Sequence, residues 1–319
     1  MYLCHQSFNN HKPSTINQNM IIKKYAAIDI GSNAMRLLVT NIVEQDGNPP
    51  QFNKSALVRV PIRLGQDAFT VGEISEENIN RMIDAMKAFK LLMKVHQVEQ
   101  YAGCATSALR EAYNGQEVCD IIKQKADIRI EIIDGKKEAA IIASTDFDHL
   151  LKNDKNYLFV DVGGGSTEIN IYEDGKNTAS KSFKIGAVRI LMKEDVSQVK
   201  KDLHDWLLAN TPKSKNSIRS LGTGGSIGKI YEMANNPIDQ PITFYKISEL
   251  KELIERHSIE DRINILKLSP DRADVIVPAV EIYMEVMKTV GATTMTVPKV
   301  GLSDGMFEVM FQEKILSSI

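Results

Sequence analysis

YLFVDVGGGSTEI, residues 157–169, joins a run of strand-forming apolar residues to an aspartate, three glycines, two hydroxyl residues and a glutamate. Tyr157–Val160 has the near-continuous apolar character of a strand buried on both faces. Asp161 closes the run, and Gly163, Gly164, Gly165, Ser166, Thr167 and Glu168 follow. Glycines let successive backbone N–H groups converge on an anion, with no Cβ to keep it away. A carboxylate beside such a nest repels the anion unless a cation lies between them. The expected occupants are a phosphate and a divalent metal together.

YAAIDIGSN, residues 25–33, has the same order: a tyrosine, an apolar run, Asp29, an aliphatic residue, Gly31 and small polar residues. Each segment is followed by a second strand-like stretch, 35–43 and 168–172, so a strand–tight turn–strand unit occurs twice. The separation is far longer than the roughly 20–50 residues of a solenoid repeat, which predicts two similar domains. A third glycine turn, LGTGGS at 221–226, precedes a helix. Gly228-Lys229 imitates the end of a Walker A loop, but Thr223 replaces its first glycine and Ile230 its metal-binding hydroxyl. Ile227 stands where a dinucleotide fingerprint needs glycine.

Elsewhere the periodicity alternates between helix and strand. Apolar residues at Ile79, Met82, Ile83, Met86, Phe89 and Met93 mark a helix with Ser75 placed to cap it. This stripe reads as core, homodimerisation being the other use of such a face. Residues 128–134 alternate as a strand, and 136–149, 196–209 and 248–256 read as helices. A long helix is expected from Pro270 to Val290, kinked at Pro278. The fold class is therefore α/β, with two domains around a cleft.

The 319 residues are 43% hydrophobic and 25% charged, with net charge −2, the composition of a soluble globular protein. No apolar run reaches the roughly 18 residues of a membrane span, and the balance lacks the basic excess of DNA-binding proteins. Three scattered cysteines, without a CxxC pair, suit free thiols in a reducing cytoplasm. The six histidines lie outside every motif, so any metal should be held by carboxylates, as Mg²⁺ or Mn²⁺ would be. The first 19 residues are polar and aperiodic and do not read as a signal peptide; a disordered tail is expected over 1–22, with Met20 as an alternative start.

The motifs AIDIGSNAMRLLV, GCATSALREA, IIDGKKEAAII, VDVGGGSTEI, IGAVRI, LGTGGS, DRADVIVPAV and GLSDGMF occur in this order from Ala27 to Phe307. In this set and order the chain resembles the exopolyphosphatase/guanosine pentaphosphate phosphatase family, within the actin-like ATPase superfamily. The resemblance implies two actin-like (ribonuclease H-like) domains with mixed sheets, 23–135 and 136–319, the last helix packing back on the first domain. The chain would be a short form without the C-terminal helical domains of longer members. It implies Glu138 as general base, and Asp161, Glu168 and Asp29 as ligands of Mg²⁺ or Mn²⁺. Ser32, Asn33, Gly164, Gly165, Ser166, Thr223, Gly224 and Gly225 would cradle phosphates, and Arg110 would grip the chain end. Arg36, Arg63, Arg189 and Arg272 are further phosphate candidates. Without the resemblance, Glu138 reads as a solvated helix glutamate beside Lys136 and Lys137. Lys137 and Ala140 depart from members that carry an acid and an arginine there.

The activity so implied is release of orthophosphate from the end of inorganic polyphosphate in the cytoplasm. The alternatives are removal of the terminal phosphate of guanosine pentaphosphate by the same chemistry, and a non-catalytic polyphosphate or alarmone sensor. Kinase or ATPase chemistry fits less well with an acid at Glu138. No dense basic run marks a polyphosphate track, although KKDLHDW (200–206) and TPKSKNSIR (211–219) carry lysines.

Overall fold

The computed structural model describes residues 20–317, apart from 46, 146–155, 213–217, 238–239 and 299. The chain begins β1 (Met20–Ile30), β2 (Ala34–Gln45), β3 (Gln51–Pro61), α1 (Leu64–Thr70), α2 (Glu76–Val95), β4 (Gln100–Ala105), α3 (Ser107–Glu111), α4 (Gly115–Ala126) and β5 (Glu131–Ile132). After α5 (Gly135–Ala143) come β6 (Tyr157–Val162), β7 (Thr167–Glu173), β8 (Lys176–Phe183), α6 (Ala187–Leu191), α7 (Ser197–Asn210), β9 (Arg219–Thr223) and α8 (Gly225–Met233). The remainder is β10 (Ile242–Thr243), α9 (Phe244–Glu255), α10 (Ile259–Asn264), α11 (Ile276–Val290), β11 (Thr294–Thr296) and α12 (Leu302–Ser317).

The strands form two mixed sheets, ordered β3-β2-β1-β4-β5 and β10-β11-β9-β6-β7-β8. The repeat seen in the sequence is a repeat of topology. β1 pairs antiparallel with β2 and parallel with β4; β6 pairs antiparallel with β7 and parallel with β9. The turns match too, with Gly31 N–H donating to Ala34 O at 3.1 Å and Gly163 N–H to Ser166 O at 2.9 Å.

The two-residue period of a strand decides where the acids go. In β1, Ala26, Ile28 and Ile30 enter the first half's own core, while Tyr25 and Ala27 face the other way. In β6, Leu158, Val160 and Val162 enter the second half's core, while Tyr157 and Phe159 face the other way. Asp29 and Asp161 continue those outward sets. The outward residues meet in a third core with Ile141 and Ile142 of α5 and Leu302, Met306 and Phe307 of α12. Thus α5 and α12 pack between the sheets, and the two aspartates emerge side by side where this shared core ends.

Several boundaries differ from expectation. β1 starts at Met20, pairing with Gln45, so the expected tail limit at 22 falls inside a strand; residues 1–19 lie outside the described part. Within 128–134 only Glu131–Ile132 pairs as strand. The helix expected over 136–149 ends at Ala143 with Ser144 as its C-cap, and 146–149 lie outside the described part. The edge strands β3 and β8 are polar and exposed along much of their length, which hid them from an alternation pattern. The α2 stripe is core: Met82, Ile83, Met86, Phe89 and Met93 are buried, which removes it as a dimer face.

The long helix α11 begins at Ile276, not Pro270, and residues 270–275 form turns. Pro278 therefore sits in the first turn, where no N–H partner is lost, and no kink is needed. Pro278→Ala is expected to change stability by less than about 1 kcal/mol in thermal unfolding, against the roughly 3 of a mid-helix proline.

Candidate active site

Asp161 and Glu168 lie directly opposite each other across β6–β7, just as Asp29 and Arg36 do across β1–β2. Directly opposed residues share a face, so the second half brings two carboxylates together where the first brings an ion pair. Arg36 Nη1 donates to Asp29 Oδ2 at 2.9 Å. Glu168 is buried and accepts from Ser182 Oγ at 2.7 Å. Burial first, and the Asp161 charge second, push the Glu168 carboxyl up to about 7 despite bonds from Ser182 and Ser166. Asp161 is raised to about 6, mainly by burial, with Asp29 adding to it and Arg36 opposing it.

Glu138 lies in the first turn of α5, which Asp134 caps by accepting from Lys137 N–H at 2.7 Å. Taken alone it read as solvated, but it is 6% exposed. The reason is packing: α5 lies against β7, β8 and α12, and this turns Glu138 inward while Lys136, Lys137 and Ala140 stay exposed. Both departures from the family pattern are thus on the outer side, where Lys137 pairs with Glu131. Arg110 Nη1 donates to Glu138 Oε2 at 3.2 Å and to Ile133 O at 2.8 Å, so this arginine orients the acid. Burial, then the charge of Glu168, holds the Glu138 carboxyl well above the usual range, with Arg110 opposing.

The three glycine turns converge here, and close approach of the backbone is one reason for their glycines. A Cβ on Gly165 would lie 2.4 Å from Ser107 Oγ, and one on Gly164 would lie 2.9 Å from Ser32 Cβ. The Gly163–Ser166 turn of one half therefore packs directly on Ser32 and Ser107 of the other, whose hydroxyls meet at 2.8 Å. Gly224 has φ +111°, and a Cβ there would come within 3.0 Å of Asp161 Oδ1. Beside it the Thr223 hydroxyl is buried against the Asp161 carboxyl. Tyr283 donates its hydroxyl to Thr223 O and accepts from Val162 N–H at 3.1 Å, fixing the third turn to the end of β6. Asn33, Arg36, Gly164, Gly225 and Arg272 line a cavity of about 60 Å³ next to these turns.

Two arginines do not serve as expected. Arg189 is 2% exposed; its guanidinium donates to Gly165 O at 2.6 Å, pairs with Glu111 and Glu194, and covers the Phe69 ring at 3.9 Å. Its donors are spent on holding the glycine turn to the first half, which corrects its assignment to phosphate. Arg63 pairs with Asp274 across the halves instead of entering the cavity. Arg189→Met should cost about 2–3 kcal/mol in urea unfolding, less than the roughly 3–5 of a fully buried pair because Glu111 and Glu194 are partly exposed. Arg189→Lys should not restore it, since one ammonium cannot reproduce the planar fork.

Sequence reasoning missed Arg59 and Ser182. Arg59 lines the cavity and stands opposite Arg36 in the β2–β3 register; Ser182 stands opposite Glu168 in β7–β8. The alternating arginines of VRVPIR (58–63) were the one available signal.

Among the described residues no three acid, histidine or cysteine side chains close on one point as a ready-made metal cage. Asp29 is engaged by Arg36, leaving Asp161 and Glu168 as a two-carboxylate site. That fits Mg²⁺, which commonly takes one or two carboxylates, phosphate oxygens and several waters. The raised carboxyls sharpen the fit, since a buried and a half-buried acid side by side are disfavoured in charged form without a cation. Unfolded carboxylates titrate near 4, whereas these titrate at about 6 and 7. Between those values the folded chain holds more protons than the unfolded one, so stability falls as pH rises through the window. The metal-free protein should accordingly melt several degrees higher at about pH 5.5 than at about pH 8, and Mg²⁺ should remove most of that difference. A flat metal-free profile would contradict this.

The model of the Ppx/GppA phosphatase family matches residues 57–314, and the chain belongs to that family. A guanosine-5'-triphosphate,3'-diphosphate pyrophosphatase of Photobacterium profundum is 26% identical over 311 residues, 92% of this chain and 60% of the relative. A bifunctional 3-dehydroquinate synthase/phosphatase of Fusobacterium nucleatum is 33% identical over 187 residues, 54% of this chain and 27% of the relative. The chain thus spans less than two thirds of these relatives. An exopolyphosphatase from Cytophaga hutchinsonii superposes with TM-score 0.78 at 24% identity, covering 91% of this chain and 98% of that one. The Aquifex aeolicus PPX-GPPA enzyme gives 0.72 at 23%, covering 91% and 100%. These likenesses establish the two-sheet fold.

Proposed function

We propose that the cleft hydrolyses the terminal phosphoanhydride of inorganic polyphosphate and releases orthophosphate. The carrying observation is Glu138: a buried acid with a raised carboxyl, oriented by Arg110 and set near the Asp161–Glu168 pair. Phosphoryl transfer demands mainly positioning and charge neutralisation, because its transition state spreads negative charge over the equatorial oxygens. Glu138 accepts the proton of the attacking water, and its raised pKa brings it nearer the operating pH, where a base works best. Arg110 steadies Glu138, and the glycine turns with Asn33 and Arg272 hold the phosphates. Mg²⁺ or Mn²⁺ bound by Asp161 and Glu168 would offset charge growing on the leaving group.

Guanosine pentaphosphate is the second substrate reading, favoured by the Photobacterium profundum relative named for it. It would give the protein a part in the stringent response. No described helix is long and apolar enough to cross a membrane, and a cytoplasmic location with either substrate is the expectation. The lysines of 213–217 lie outside the described residues, so a basic track there has no geometry to argue from. The deciding experiment is phosphate release with Mg²⁺ from long-chain polyphosphate and from guanosine pentaphosphate. Dominant release from the first confirms the exopolyphosphatase reading; dominant release from the second replaces it. Binding of either without release would make the protein a sensor.

A further inference from the structure

The cavity beside the catalytic cluster is lined by three guanidinium groups, those of Arg36, Arg59 and Arg272. Arg36 has its own carboxylate, Asp29. Arg59 is paired with Asp271, which belongs to the other half of the molecule. Arg272 has no carboxylate at ion-pair distance among the described residues; burial and the nearby charge of Arg59 both disfavour its cation. The lining of this cavity carries these three guanidinium groups and no carboxylate. The Arg59 Nε and the Asn33 Oδ1 are buried there without hydrogen-bond partners. The cavity starts at Val162 and Gly163, immediately beyond Asp161, so a phosphate chain whose end lies at the carboxylates runs next into these arginines.

We propose that Arg59 binds an internal phosphate of the substrate chain, and that Asp271 occupies Arg59 until that phosphate displaces it. The proposal rests on the polyanionic substrate class argued above. The exchange is of one anion for another: the guanidinium releases a carboxylate that it meets through Nη1 alone and takes a phosphate, which its planar fork can grip in two-pronged fashion. Asn33 Nδ2 donates at 3.0 Å to the backbone carbonyl of Asp271, so the segment stays tethered while its side chain is displaced. Asp271 thereby acts as a built-in competitor and sets how much anion the cleft requires before Arg59 engages.

The test is calorimetric binding of inorganic tripolyphosphate with Mg²⁺, all variants carrying Glu138→Gln so that nothing turns over. Arg59→Gln is expected to weaken binding about tenfold or more, as loss of a charge-assisted contact does. Asp271→Asn is expected to tighten binding several-fold, because it removes the competitor and keeps the backbone tether. Changes of opposite sign establish the exchange. If the pair only braces the two halves, both variants weaken binding, and the proposal falls; it falls equally if Arg59→Gln binds as the parent does. Thermal melts check folding, and where Arg59→Gln does not fold, tightening in Asp271→Asn decides alone. Phosphate release by the unmodified protein is scored separately: opposite shifts without any release would end the hydrolytic reading and leave the Arg59 assignment standing.

Discussion

Glu138→Gln is expected to lower turnover by at least about 100-fold, the low end for a lost general base, with substrate binding kept. The amide preserves the volume of the side chain and an oxygen for Arg110, so α5 keeps its packing. It cannot accept a proton from water. Initial rates on whichever phosphoanhydride proves the better substrate, with calorimetric binding alongside, separate the two effects. Turnover near that of the parent would remove Glu138 from the chemistry. The pH profile adds an independent sign: the base works only deprotonated, so the parent's rate should rise with pH through the raised Glu138 carboxyl. At saturating Mg²⁺, which suppresses the limb contributed by the Asp161–Glu168 pair, the Glu138 limb should vanish in the variant.

The next largest effect is expected at Asp161 and Glu168, the proposed metal pair. Chelation should abolish turnover reversibly. Asp161→Asn should raise the Mg²⁺ concentration for half-maximal rate by at least about 10–100-fold, the range seen even for outer-shell partners of metals. Glu168→Gln should act in the same direction, because the two side chains oppose each other across one hairpin. Asp29→Asn should act less on the metal requirement and more on substrate affinity, since its carboxylate already answers Arg36. A metal requirement that moved equally in all three variants would place Asp29 in the metal site after all.

What was legible in the sequence was local. The two Asp-glycine turns show as strand, acid and turn within a dozen residues each, and their repetition predicted the duplicated sheet. Residues placed by register or by packing left no such mark. Arg59 reaches the cavity because β3 pairs with β2, and Ser182 reaches Glu168 because β8 pairs with β7; both strands are polar edges without a clear period. Glu138 looked solvated because Lys136 and Lys137 precede it, and only the packing of α5 against β7, β8 and α12 explains its burial. Arg189 was a phosphate candidate only through the family resemblance, which includes IGAVRI. Its actual partners, Glu111 and Phe69, are distant in sequence.

The third core has a consequence for how the molecule comes apart. Tyr25, Ala27, Leu38 and Ile42 of the first sheet share it with Tyr157, Phe159 and Tyr172 of the second, sealed by Ile141, Leu302 and Phe307. A fragment ending near residue 135 would leave its part of this core facing water and should aggregate when expressed alone. The duplicated halves look like two building blocks, yet with this shared core neither is expected to fold alone. Rocking of one half on the other would have to shear this apolar seam and break the Arg59–Asp271, Arg63–Asp274 and Arg189–Glu111 pairs that also join the halves.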